Sequence, residues 1–170
     1  KFDADASRRV DRIYQNPDII AQRKFTLGHL DLNKGDHVLD IGCGPGLLAL
    51  DMAEAVGPQG SVTGVDPSSD MRAIAETRCD KVGNITIMDG DAVALPCEDV
   101  SLDAVIATQV YEFVPDIEAA LTEANRVLKP GGRIAVLDTD WDTALIRTNN
   151  RDRMHAVFQS RRDYFVHPDL

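Results

Sequence analysis

The sequence is short of several features, and each shortage excludes a class of protein. It has only three cysteines, Cys43, Cys79 and Cys97. Their spacing fits neither a metal site nor a redox motif, and an odd number argues against a disulfide framework. We therefore expect a protein of the cytoplasm, a reducing compartment, with no metal site. Aromatic residues make up 5% of the chain, so the core is expected to be mainly aliphatic.

Positive charge and long apolar runs are also scarce. The 18 Lys and Arg residues are outnumbered by 28 Asp and Glu residues, which gives a net charge of −10. Nucleic-acid binding needs clustered positive charge, so the composition predicts no nucleic-acid partner. No run of about 18 apolar residues occurs, which predicts no integral membrane contact. The 44% of hydrophobic residues over 170 positions is the balance of one globular domain.

From residue 37 onward, short apolar runs alternate with longer amphipathic segments. The runs are rich in Val and Ile and lie at 38–41, 62–65, Ile85–Met88, 104–107 and 134–137. Such runs are typical of parallel strands that are buried on both faces. Helices are predicted between them at Leu47–Val56, 68–80 and 116–128, and an irregular segment at 89–100. The pattern predicts an α/β fold with a doubly wound, mostly parallel sheet.

Helices are also predicted on either side of this alternating region. Two precede the first strand, at 4–14 and Pro17–Leu30, and one follows the fifth strand, at 150–165. We divide the chain accordingly into an N-terminal helical segment, residues 1–36, and a core, residues 37–170.

The strongest local motif is the glycine-rich turn after the first predicted strand. The sequence VLDIGCGPG at positions 38–46 places Gly42, Gly44 and Gly46 at alternate positions between a strand and a helix. Glycines there permit a tight turn and a close approach of the backbone to a ligand. A dinucleotide-binding turn would place its third glycine where this chain has Leu47. A tight turn without any ligand is the alternative interpretation.

Asp40 stands directly before this turn and indicates the charge of the ligand. A carboxylate beside a pyrophosphate is repelled by on the order of 1 kcal/mol even in water, whereas a cation is attracted. The motif therefore favours a ligand with an ammonium or sulfonium group. A nicotinamide-dependent oxidoreductase is the less favoured alternative.

Two further acids follow the next two predicted strands. Asp66 stands where nucleoside-binding α/β folds hold the ribose hydroxyls, although before Pro67 it could instead be a helix N-cap. Asp91 could accept a hydrogen bond from an exocyclic amine. All three acids stand at the carboxyl ends of predicted strands, where ligands bind in open α/β sheets.

Five segments, in order, resemble motifs of the class I S-adenosylmethionine-dependent methyltransferases, in the small-molecule branch ("methyltransferase type 11") that includes quinone-biosynthesis enzymes. They lie at 38–46, 64–66, 90–96, 101–105 and 128–132. The resemblance implies S-adenosyl-L-methionine as cofactor, S-adenosyl-L-homocysteine as product, and in-line methyl transfer to a small molecule by proximity and desolvation. The family orders seven strands as 3-2-1-4-5-7-6. Because five are legible here, we expect the last strands to be missing from this chain.

The resemblance also implies a set of cofactor-binding residues: Asp40, Gly42, Cys43, Gly44, Gly46, Asp66, Pro67, Met71, Asp91, Ala92, Thr108, Gln109, Tyr14 and Arg23. The glycine turn would pass under the methionine part, Asp66 would hold the ribose, and Met71 would pack near the adenine. Asp91 would accept from the adenine amine, with the Ala92 backbone beside it. Thr108 and Gln109 would contact the methionine end, and the opening helices would cover the site.

Residues after the fourth and fifth strands are the candidates for the acceptor pocket: Tyr111, Glu112, Asp138, Asp140 and Trp141. Many relatives carry histidine near this place, whereas this chain has Tyr111, Glu112 and Phe113, so we assign no catalytic base. The aromatic residues suggest an aromatic or otherwise apolar small-molecule acceptor. Binding of the cofactor without methyl transfer stays open as an alternative function. A homodimer stays open as the oligomeric state.

Overall fold

The computed structural model describes residues 3–139 and, beyond them, only Asp152, Ala156 and Gln159, which are helical and exposed. Asp140, Trp141 and most of the predicted helix at 150–165 lie outside the described residues.

Strands and helices alternate through the described part of the chain. The helices are α1 (Ala4–Ile13), α2 (Pro17–Leu30), α3 (Leu47–Val56), α4 (Ser69–Cys79) and α5 (Ile117–Val127), and Tyr111–Phe113 forms a short 3₁₀ turn. The strands are β1 (His37–Ile41), β2 (Ser61–Val65), β3 (Ile85–Met88), β4 (Leu102–Thr108) and β5 (Leu128–Leu137). The five helices predicted before residue 130 agree with these bounds to within one residue at either end.

The five strands form one parallel sheet in the order β3-β2-β1-β4-β5. Strand β1 lies in the centre, with Ile41 beside Val65 of β2 and Ala107 of β4. The chain reverses its winding direction between β1 and β4, which is where ligands bind in open α/β sheets. The predicted α/β fold with a doubly wound parallel sheet is confirmed.

Two apolar clusters cover the two faces of the sheet. On one face, alternate residues of β1 and β4 pack with α2 and α3, and Met52 and Val56 are among the fully buried side chains. On the other face, Leu39, Ile41 and Val105 pack with α5. Because side chains alternate across a strand, one central strand supplies both clusters. The carboxyl ends of β1 and β4 are thereby fixed from both sides.

Strand β5 differs from its prediction in length and in burial. It begins at Leu128, six residues before the predicted 134, and a register irregularity lies opposite it between Leu102 and Ala104. Ile134 and Val136 are 44% and 46% exposed, so the expectation that this strand is buried on both faces is wrong for the described residues. Both side chains lie on the same face of the sheet as Val105 and Ala107 of β4, whereas Ala135 packs on the opposite face.

Candidate cofactor site

Asp40 is a buried acid with an unused oxygen. It is 1% exposed, and its Oδ2 atom has no hydrogen-bond partner. Burial, together with the negative charge of Asp66, raises the pKa of Asp40 to about 8, while Arg23 acts in the opposite direction. An unpaired buried carboxylate is costly, so this position favours a proton or a bound cation.

The glycine turn places its three glycines in three different surroundings. Gly42 has a φ of 65°, and a Cβ added there would lie 2.5 Å from Cγ2 of Val110. A Cβ added at Gly46 would lie 3.0 Å from the Cβ of Ala75 on α4. At Gly44, with a φ of 51°, the nearest atom would be the Gly42 carbonyl oxygen at 4.0 Å. Gly44 therefore faces open space beside the backbone, while its neighbours pack against protein.

Cys43 lies inside this turn, and its thiol group is buried. Its backbone N–H donates to the Val65 carbonyl at 3.0 Å, which holds the turn against the end of β2. Burial and the nearby carboxylates of Asp40 and Asp66 raise the pKa of the Cys43 thiol, so it stays protonated at neutral pH.

Asp66 holds two backbone segments at once. Its Oδ2 accepts from the Gly44 N–H at 2.9 Å and its Oδ1 accepts from the Ser68 N–H at 2.8 Å. Helix α4 has Ser68 as its N-cap, with the Ser68 hydroxyl accepting from the Met71 N–H, so the alternative role of Asp66 as that cap is wrong. Burial raises the pKa of Asp66, and the two backbone hydrogen bonds oppose that rise. Each carboxylate oxygen retains a lone pair for a further donor.

Helix α4 begins beside these acids. Met71 is 3% exposed, whereas Pro67 is exposed. Arg72 donates to the Asp66 carbonyl at 2.8 Å and to Asp89 Oδ1 at 2.6 Å, which ties the ends of β2 and β3 together. This contact was not predictable from sequence patterns, because it joins residues of three separate segments.

The segment after β3 carries the third acid of the predicted set. Asp91 is exposed, and its Oδ1 accepts from the Val93 N–H at 3.2 Å within a local turn closed by a bridge to Ala94. Ala92 is 6% exposed and belongs to the core. The Asp91 carboxylate is therefore accessible from solvent, unlike those of Asp40 and Asp66.

The end of β4 presents an unsatisfied donor. Gln109 has a φ of 57°, which is uncommon for a residue with a side chain, and follows Thr108, which is half-buried. Its Oε1 accepts from the Thr139 hydroxyl at 2.7 Å, while its buried Nε2 has no hydrogen-bond partner. Such an amide group is available to a ligand acceptor atom.

Three of the acceptor-pocket candidates, Tyr111, Glu112 and Asp138, lie at the turn after β4. Asp138 Oδ1 accepts from the Val110 N–H at 2.8 Å. Burial raises the pKa of Asp138, while the backbone N–H groups of Val110, Tyr111 and Glu112 act in the opposite direction. Tyr111 and Glu112 are each 3% exposed, and Tyr111 packs in the core beneath α5 with its hydroxyl group unpartnered. Asp138 thus serves as a cap for the 3₁₀ turn.

The two opening helices contact the core beside the glycine turn. Arg23 of α2 forms an ion pair with Asp51 of α3, with Nε 2.6 Å from Oδ2, and it donates to the Tyr14 carbonyl at 3.3 Å. The Arg23 side chain is 14% exposed, and its positive charge lowers the pKa of Asp40. Tyr14 is half-buried at the end of α1.

The structure thus brings Asp40, the glycine turn, Asp66 and the end of β4 together at one edge of the sheet. Asp91 lies one strand further out. Within residues 3–139, no cluster of three or more His, Cys, Asp or Glu side chains could hold a metal ion. No helix in the same part of the chain is long and apolar enough to cross a membrane.

Residues 39–136, more than half of the chain, match the family described as "Methyltransferase domain". The chain belongs to this family. The predicted membership in the class I S-adenosylmethionine-dependent methyltransferases, in the quinone-biosynthesis-like branch, is confirmed. Demethylmenaquinone methyltransferase of Staphylococcus aureus is 40% identical over 121 residues, which are 71% of this chain and 50% of that protein. The chain spans half or less of the length of the curated relatives it matches first.

Solved structures share the fold. A SAM-dependent methyltransferase from Aquifex aeolicus superposes with a TM-score of 0.70 at 21% identity, over 94% of this chain and 88% of that one. The [4+2]-cyclase SpnF superposes with a TM-score of 0.63 at 30% identity, over 68% of this chain and 43% of that one. The same fold therefore occurs in proteins named for different reactions.

Proposed function

We propose that this chain binds S-adenosyl-L-methionine at the carboxyl ends of β1 to β4 and transfers its methyl group to a small-molecule acceptor. The observation that carries the proposal is the unpartnered, buried Oδ2 of Asp40 beside the open face of Gly44. A cationic ligand would satisfy that oxygen, and a residue larger than glycine would fill that space. S-adenosyl-L-homocysteine would bind as the product.

The roles of the cofactor-site residues follow from their positions. Asp66 holds the glycine turn through Gly44 and keeps lone pairs for the ribose hydroxyls, while Met71 supplies a buried apolar wall beside it. The exposed carboxylate of Asp91 would accept from the adenine amine, with the Ala92 backbone adjacent. The free Nε2 of Gln109 would donate to the methionine carboxylate.

The opening helices complete this proposed site. Residues 1–36 would act as a helical segment that covers the cofactor, and residues 37–170 as the core. The ion pair between Arg23 and Asp51 supports this division, because it fixes α2 over the helix that begins at the glycine turn. Tyr14 would lie in the same cover, since its carbonyl is bonded to Arg23.

The bound cofactor would supply a methyl group already activated by its sulfonium. The chain's own part is then to align the acceptor atom with that methyl group and to exclude water, which can lower the barrier by several kcal/mol. A proton acceptor is needed only if the nucleophile must lose a proton. Asp138 accepts a hydrogen bond from the Val110 backbone N–H, so we assign it to the pocket wall. Tyr111 and Glu112 stay pocket candidates, and no general base is assigned.

An aromatic or apolar acceptor is the proposed substrate class. The support is the 40% identity to a protein named for methylation of demethylmenaquinone, which is a quinone. A mass-spectrometric assay with isotope-labelled S-adenosylmethionine and a panel of reduced quinones, catechols and amines tests this. Labelled quinol or catechol product is expected from the parent chain and not from Asp66→Ala. Labelling of the amines alone would contradict the acceptor class.

A second candidate function is binding of the cofactor without methyl transfer. The similarity to the [4+2]-cyclase SpnF, at 30% identity, supports keeping it. Binding of S-adenosylmethionine with no labelled product from any acceptor in the panel would favour this candidate. A nicotinamide-dependent oxidoreductase is disfavoured by the family match over residues 39–136.

A further inference from the structure

Helix α4 braces the glycine turn from outside the cofactor site. Ala75, Arg78 and Cys79 are three and four residues apart, so they share one face of this helix. A Cβ added at Gly46 would lie 3.0 Å from Ala75 Cβ and 3.2 Å from Cys79 Sγ. Nη1 of Arg78 donates a hydrogen bond to the carbonyl oxygen of Pro45. The peptide group between Pro45 and Gly46 is therefore held by a side chain of α4.

The second arm of the same guanidinium reaches the opening helix. Nη2 of Arg78 lies 2.7 Å from Oδ1 of Asp11 on α1. The two side chains are only 20% and 19% exposed, whereas the ion pair between Arg8 and Asp5 on the same helix has exposures of 64% and 83%. A shielded, hydrogen-bonded pair is less screened by solvent than an exposed one.

These contacts form one connected path from α1 to the glycine turn. The planar guanidinium holds two acceptors in a fixed relative position, which a lysine cannot do. The other charged residues that line the groove between α1 and α4 are Arg8 and Asp70. Among the described residues, Asp11 is the acid that pairs with Arg78.

We propose that Arg78 is a positioning residue that couples the docking of α1 to the conformation of the glycine turn. When α1 is docked through Asp11, Arg78 is held over the Pro45 carbonyl and the turn keeps the shape that opens Gly44 to the ligand. When α1 leaves, Arg78 loses its second partner and the turn loosens. The consequence for cofactor affinity rests on the proposed function, whereas the coupling itself does not.

Hydrogen–deuterium exchange without ligand tests the coupling directly. Asp11→Ala removes the partner of Arg78 on α1 without weakening the helix, since alanine is the best helix former. We expect about fivefold faster exchange in α1 and also in the peptide covering residues 43–47, the effect of losing a partly buried pair. Asp5→Ala, the matched control on the same helix, should leave residues 43–47 unchanged. Faster exchange confined to α1, or no change in either, overturns the coupling.

Calorimetric binding of S-adenosylhomocysteine tests the consequence. Asp11→Ala is expected to raise the dissociation constant about fivefold and Arg78→Met more than tenfold, which corresponds to losing one and two contacts. Arg78→Lys keeps the positive charge and should retain only the ion pair with Asp11. Its dissociation constant should therefore lie between those of the parent and Arg78→Met. All variants should retain the parent's thermal unfolding temperature to within about 4 °C.

The outcomes separate this inference from the proposed function. If the parent chain fails to bind S-adenosylhomocysteine, the proposed function fails, and the exchange experiment still decides the coupling. If the parent binds and Arg78→Met binds equally well, the positioning role is overturned. An Arg78→Lys variant indistinguishable from the parent in both measurements would also overturn it, because a single point charge would then suffice.

Discussion

Replacing Asp40 by asparagine should stabilise the ligand-free protein, and more so as the pH rises. Asparagine has nearly the same shape but cannot ionise, and Asp40 has an oxygen without a hydrogen-bond partner in a fully buried position. In the unfolded chain the carboxyl group has its ordinary pKa of 3.8, while in the fold its pKa is raised to about 8. Between these two values the folded state keeps a proton that the unfolded state releases, so stability falls as the pH rises.

The size of this effect follows from the same two values. Each pH unit between 3.8 and 7 lowers the free energy of unfolding by about 1.4 kcal/mol, so Asp40 contributes a loss on the order of 4 kcal/mol by pH 7. For a chain of this length, 1 kcal/mol shifts the unfolding temperature by roughly 2–4 °C. The stabilising effect of Asp40→Asn should therefore be roughly 10 °C larger at pH 7 than at pH 4.

Thermal unfolding of parent and variant between pH 4 and pH 8 measures this difference. Subtracting the parent's unfolding temperature at each pH removes the contribution of the groups that titrate alike in both proteins. Asp80→Asn, at an exposed position after α4, removes one acid as well and corrects for the change in net charge. An unfolding-temperature difference between Asp40→Asn and the parent that does not change with pH would refute the argument. The same variant should bind S-adenosylmethionine more weakly, because the ligand's positive charge then loses its partner.

Three further predictions concern the glycine turn and its neighbours. Gly44→Ala should weaken binding of S-adenosylhomocysteine at least tenfold, because its Cβ would enter the open space beside the backbone. Both glycines have a positive φ that strains alanine, but Gly42→Ala should lower the melting temperature further, since its Cβ would also lie 2.5 Å from Val110. Equal effects of both changes would contradict the proposed site. Asp66→Asn should melt below the parent, because one amide oxygen cannot replace two oxygens that each accept a backbone N–H; melting like the parent would be evidence against it. Asp138→Ala should destabilise by about 1–3 kcal/mol in urea unfolding, through loss of the acceptor for the partly buried Val110 N–H, and an unshifted midpoint would disprove that role.

Local patterns in the sequence were sufficient to predict the elements around the site. Runs of Val and Ile predicted four of the strands closely, and the helix between Asp116 and Pro130 was bounded by its cap and its proline. These features depend on backbone preferences and on burial periodicity, which are encoded within a few neighbouring residues. The glycine turn was predictable for the same reason.

The contacts that shape the site were not predictable, because they join distant segments. Asp66 stands 22 residues from Gly44, and Asp138 stands 28 residues from Val110. Nothing within either segment distinguishes a carboxylate that binds backbone from one that binds a ligand. For Asp66 this changes an expectation, since the sequence left open a role as helix N-cap, whereas the carboxylate in fact holds the glycine turn.

The length and exposure of β5 were mispredicted for a related reason. The segment from Leu128 to Gly132 contains proline and two glycines, which predict a turn, yet pairing with β4 extends it from Leu128. The exposure of Ile134 and Val136 depends on what packs over their face of the sheet. The two residues are of the same type as those in a buried strand, so their identity does not reveal it.

Cofactor selectivity tests the central claim most directly. The purified chain is titrated in a calorimeter with S-adenosylmethionine, S-adenosylhomocysteine and NAD in parallel. The account predicts that the first two bind at one shared site and that NAD neither binds nor displaces them. Binding of NAD in preference to S-adenosylmethionine, or no binding of S-adenosylmethionine at all, would contradict it.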